Sequence, residues 1–218
     1  MYSIGTTIIG SLVWDTEPTW SDADIFHIYS KSPSDIMMGR EYDTEEQKTG
    51  PMHLTSIEIG KLITQLKAGD FKSYLIVLSA YVVTTTPWFS SLRRILVSNA
   101  TLAIVPSMLT YINTMATLAE ETEDEALKVY RRRAAYRMAK FGTTYYNAST
   151  FSFELPPADL TAEQVTAAID EFNTAVEAVK SNLESKFAVG MPNDLLDNWL
   201  ITTRLNLIKI EDEILNTR

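Results

Sequence analysis

At 218 residues, 45% apolar and 22% charged, the chain reads as one large globular domain or two small ones, and this composition excludes an intrinsically disordered polypeptide. The absence of cysteine excludes disulfides, thiolate metal sites and thiol catalysis, and two histidines, His27 and His53, are too few for a multi-histidine zinc centre. A formal charge of −9 argues against broad non-specific binding of DNA and against adsorption to a membrane.

In chain order, Thr6 to Ile9 and Ile25 to Tyr29 have the short, β-branched or aromatic make-up of buried strands. Between them, Ser11 to Val13 is expected to open a short helix or turn, followed by a loop around Pro18. Residues 31–51, with Pro33, Gly39, Gly50 and Pro51, read as an exposed polar excursion. Thr55-Ser56-Ile57-Glu58 has the form of a capping box, and Ile59, Leu62, Ile63 and Leu66 behind it trace a helical stripe that Gly69 ends. A second helix is expected from Phe71 to about Leu78. The apolar run from Tyr74 to Val83 is interrupted by Ser79 and too short to span a bilayer.

The remainder reads as helical. Pro106 can open a helix carrying Met108, Ile112, Met115 and Leu118. Thr122-Glu123-Asp124-Glu125 predicts the start of another, ended by Gly142 after Phe141. Thr161-Ala162-Glu163-Gln164 is a further capping box, before a stripe from Val165 through Phe172 and Val179 to Phe187. Leu196, Leu200, Thr203, Leu207, Ile210 and Ile214 trace a last amphipathic helix. The expected class is therefore α+β: a small mixed-sheet domain over residues 1–95, then an all-helical region over 96–218. No charged-then-apolar leader opens the sequence, and the lack of cysteine is compatible with a cytoplasmic protein.

The stretch that carries chemistry is Gly10 to Asp24. On a strand, Asp22 and Asp24 point to one side. Two like charges so close are costly unless a cation compensates them, and a divalent ion does so. Carboxylate oxygens favour Mg2+ or Mn2+. Gly10 lets a ligand approach the backbone, and Ser11 offers a hydroxyl beside backbone N–H groups at an expected helix start, where phosphate binds well. The alternative is a plain turn at Gly10-Ser11 and an ordinary cap at Ser21-Asp22.

The same stretch resembles the signature of the DNA polymerase β-type nucleotidyltransferase superfamily: Gly-Ser, a spacer of about ten residues, then Asp-x-Asp on a strand. It is most similar to the group of predicted nucleotidyltransferases that includes RNA-ligase-associated proteins. Their opening motif, approximately GSRAWGxxxxxSDxDxxxxY, lays onto Gly10-Ser11-Leu12-Val13-Trp14-Asp15, Ser21-Asp22-Ala23-Asp24 and Tyr29 without a gap. Their next segment, roughly DLxGWDLRKAL, falls on His53 to Ile63. The resemblance implies that Asp22 and Asp24 are catalytic and bind metal, that Gly10, Ser11 and Ser21 hold nucleotide, and that a nucleoside triphosphate is the donor. The acceptor would be an RNA end, a protein side chain or a small molecule. A basic helix comparable with Arg131 to Arg137 occurs in the same group.

The sequence departs from that pattern at Leu12, Asp15 and His53, where the motif has arginine, glycine and an aspartate. Superfamily members usually use three acids. Here Glu58, Asp15 or His53 would complete the metal set, while Glu58 also fits a helix cap and Asp15 a solvated loop. Arg133 and Arg137 share a helix face that either contacts triphosphate or lies solvated beside the acids of residues 120–125. Trp14 and Trp20 either stack on a base or pack the loop. Two functions stay open: a metal-dependent nucleotidyltransferase, or a catalytically weak nucleotide-binding or regulatory module such as a toxin–antitoxin component.

Overall fold

The computed structural model describes residues 1–10, 23–40, 44–49, 52–99, 101–148, 155–182 and 193–216. Within them, the first strand β1 spans Tyr2–Ile9 and β2 spans Ala23–Ser30. The fold is α+β, as the patterning predicts. The polar excursion is more ordered than expected. It holds a short helix, α1 (Pro33–Met37), and a strand, β3 (Glu45–Thr49). Ser32 caps α1 by accepting from the Asp35 amide, and Pro33 occupies the first turn, where no N–H partner is needed.

The predicted capping box at Thr55 is a strand instead. β4 runs Met52–Glu58, and α2 begins only at Ile59 and runs to Lys67. Glu58 itself is the cap, its carboxylate accepting from the Gly60 N–H at 2.5 Å. Helix α3 (Phe71–Leu78) matches expectation and is capped by Asp70. It is followed by β5 (Tyr81–Thr85) and α4 (Pro87–Ser98), which the sequence pattern did not reveal.

The sheet order is β3-β4-β2-β1-β5, with β2 and β4 parallel and the other pairs antiparallel. Side chains alternate along each strand. Ile9, Phe26, Ile28 and Ile57 lie on one face and are buried. That face is covered by α2, lying on β2 and β4, and by α3 and α4, lying on β1.

Beyond a short 3-10 turn at Leu102–Ile104 come α5 (Val105–Glu121), α6 (Glu125–Ala148), α7 (Ala162–Ser181) and α8 (Asn193–Asn216). Thr161 and Gln164 form the reciprocal capping box that the sequence predicts. At α6 the cap is Asp124, whose Oδ1 accepts from the Ala126 and Leu127 amides, and Thr122 ends α5. Gly142 does not stop α6; it lies inside the helix, with the Phe172 ring packed on it. Phe187, expected on α7, lies outside the described residues.

Helix α5, counted from residue 102, is long and apolar enough by length and composition to cross a membrane. Val105, Met108, Ile112 and Ala119 are its buried residues, and it packs on α6, α3 and α7. Helix α8 returns to the first half of the chain and packs on α2 and α4. There the Trp199 indole N–H donates to Ser91 Oγ at 2.8 Å, and Lys67 pairs with Asp197 at 2.6 Å. One hydrophobic cluster runs from Ile4 in β1 to Trp199 in α8.

Candidate functional site

The chemistry-bearing end of the sheet is built where β1 ends and β2 and β4 begin. Antiparallel pairing places Ile9 opposite Asp24, and parallel pairing places Asp24 opposite His53. Gly10 turns the chain away from β1 with φ of +87°. A Cβ at this position would sit 2.7 Å from Asp24 Oδ2, so only glycine gives both the left-handed backbone and the room for the carboxylate. Backbone and carboxylate are thus held against each other.

His53 Nδ1 donates to Asp24 Oδ1 at 3.3 Å, and the two side chains are 35% and 39% exposed. They are packed enough to be oriented and open enough to meet a ligand. His53 Nε2 approaches Glu46 Oε2 at 3.9 Å, so the imidazole sits between two carboxylates from neighbouring strands. Glu46 went unnoticed in the sequence because its strand, Glu45–Thr49, is polar throughout and carries no alternation.

Behind this edge, the Ser79 hydroxyl donates to the Ile8 carbonyl at 2.5 Å, and Arg93 donates to the carbonyls of Ser79 and Leu78. These bonds fix the end of β1 from the α3–β5 connection. Lys72 on α3 places Nζ 5.2 Å from the Phe26 ring centroid. Phe26 shares the sheet face of Asp24 one pleat along, and Lys72 itself is exposed. No sequence spacing announces that approach, because the two residues meet only through tertiary packing.

Other expected site residues are placed elsewhere. Glu58 lies five residues beyond His53 on β4, about 16 Å along the strand. It is fully buried, with Arg204 Nη2 3.3 Å from Oε1. A carboxylate committed to an amide and a guanidinium at the far end of the sheet is removed from the candidate metal set. It caps α2 instead.

Arg137, expected at the nucleotide, is 5% exposed on α6. Desolvation pushes its guanidinium down to about 10, with the Tyr111 and Tyr130 hydroxyls opposing that shift and Arg133 adding to it. It remains a cation at neutral pH, but a packed one, which corrects both the solvated and the triphosphate-facing readings. Arg133 is half-buried beside it. Arg131 donates to the Leu118 carbonyl at 2.8 Å, and Arg132 pairs with Glu120 at 2.8 Å. The basic run mainly ties α6 to α5.

Ser11, Ser21 and Asp22 lie outside the described residues, as do Asp15, Trp14 and Trp20. Among the described residues, no group of three His, Asp or Glu side chains is placed to hold a metal ion.

No family model matches the sequence, and no curated protein sequence matches it. Among solved structures, the chain is similar to a nucleotidyltransferase-like protein from Exiguobacterium sibiricum 255-15, at 8% identity and a TM-score of 0.33. The likeness covers 99% of this chain and 86% of that one.

Proposed function

We propose that the Gly10–Asp24–His53 edge binds a nucleoside triphosphate with Mg2+ or Mn2+ and transfers its nucleotide to an acceptor hydroxyl, releasing pyrophosphate. The observation that supports this most is a left-handed glycine turn at the end of β1 set directly against the Asp24 carboxylate. The Gly-Ser and Asp-x-Asp spacing points to the same chemistry. The acceptor oxygen attacks the α-phosphorus, the bond to the bridging oxygen breaks, and the acceptor proton leaves to solvent or base. Asp24, with Asp22, would hold the metal, which when bound neutralises triphosphate charge. Gly10 admits the phosphates, Lys72 adds positive potential, and His53 orients the Asp24 carboxylate. The acceptor would be an RNA end, a protein or a small molecule.

His53 favours a second reading. An imidazole stands where the resemblance places an aspartate, and it donates to Asp24. A nucleotide-binding module with weak turnover has this constellation too. Incubation with α-labelled nucleoside triphosphates, Mg2+ and a panel of RNA and protein acceptors separates the two. The transferase reading expects label transfer that Asp24→Asn lowers at least about 100-fold, with the folded circular-dichroism spectrum retained. Metal-dependent binding without transfer to any acceptor would support the module, and full activity in Asp24→Asn would remove Asp24 from the site.

A further inference from the structure

We infer a second ligand site at the opposite end of the sheet: a cleft of about 640 Å³ between α1, α2 and α8 that takes a small phosphomonoester. Its volume falls within the range of small-molecule sites. Arg40 follows α1, Lys61 and Thr64 stand on α2, and Arg204 comes from α8, so cations from three separate segments converge on one opening. Ile36 and Leu200 give it an apolar wall. The chain as a whole carries −9, which makes a three-cation lining a local reversal rather than a sample of the average surface.

Charge and geometry select the ligand class. Glu58, buried beneath the cleft, holds Arg204 through Nη2, and Asp35 pairs with Arg40 outside the lining. Among the described residues, Lys61 Nζ reaches a neutral hydroxyl, that of Thr44, at 2.5 Å. Among the described residues, Lys61 is the lining cation that has no acidic partner. A phosphate monoester offers more acceptor oxygens than a carboxylate, so it can accept from the Arg40 and Arg204 guanidinium groups and the Lys61 ammonium together. The apolar wall would meet the organic body of the ligand. This cleft lies about 16 Å along β4 from Asp24 and His53, so it does not depend on the proposed transfer site.

Calorimetric titration of the full chain in EDTA, which silences a metal-dependent site, uses adenosine 5′-monophosphate as the probe and adenosine as its uncharged counterpart. The double variant Arg40→Ala/Lys61→Ala removes two cations that bond Asp35 and Thr44. Arg204 is kept, because its loss would strand Glu58. The expected result is binding of the monophosphate but not of adenosine, weakened at least tenfold in the double variant while its melting temperature is unchanged. Absence of binding to the wild-type chain, equal affinity for adenosine, or affinity unchanged in the variant would each overturn the assignment.

Discussion

At the scale of single residues, the sheet edge is organised by two contacts of Asp24, one to the Gly10 backbone and one to His53. Both follow from strand register, which fixes partners without any sequence neighbour being involved. On the opposite face of the same strand, His27 is held below its ordinary value of 6.5 by burial, with Ser3 as its hydrogen-bond partner. The unfolded chain therefore binds the proton more readily than the folded one. Stability is complete above 6.5 and is lost as pH falls from there through the depressed folded-state value. His27→Asn is expected to flatten the rise of urea midpoint between about pH 5 and 7; parallel profiles for the two proteins would contradict it. Asp24 and His53 were legible as candidates because each aligned with a motif position. Glu58 was misplaced because a hydroxyl followed three residues later by a carboxylate reads as a capping box, whereas pairing with β2 carries the strand through to Glu58.

At the scale of elements, packing overrides local preference. Glycine ends many helices, yet α6 continues past Gly142 to Ala148. The reason is spatial: a Cβ at 142 would lie 2.4 Å from Phe172 Cε2 and 2.8 Å from Met108 Cε. Gly142→Ala gains helix propensity of about 1 kcal/mol, but forces apart a fully buried ring. A net loss of about 1–3 kcal/mol is expected from chemical denaturation. A stabilised variant would show that α6 and α7 are looser than this contact. The stripes of α5, α7 and α8 were readable because apolar positions recur at helical spacing. β5 and α4 escaped for different reasons. Tyr81 to Thr85 is an exposed edge strand whose register shifts against β1. Helix α4, Pro87–Ser98 and capped by Thr86, runs across the place after residue 95 where the sequence pattern divides the chain.

At the scale of the whole molecule, α8 clasps the first half of the chain, and the pair of buried Glu58 and half-buried Arg204 joins them across 146 positions of sequence. Removing only the cation leaves an uncompensated buried carboxylate. Arg204→Met is expected to cost about 3 kcal/mol. The double variant Glu58→Gln/Arg204→Met is expected to recover part of that loss, since a neutral amide still accepts from the Gly60 N–H. Thermal melts of the single and double variants check the order; a double variant less stable than Arg204→Met would contradict it. Nothing in the sequence links these two residues. Only the return of α8 onto α2 does, and it also shapes the second cleft.

The proposed function is tested most directly by a crystal structure of the chain with Mg2+ and a triphosphate that cannot be cleaved at the α–β bond. Phosphate oxygens against the Gly10 backbone, with the metal on Asp24 and Asp22, are the predicted result. Triphosphate bound away from this edge, with the Asp24 carboxylate still engaged only with His53, would contradict it.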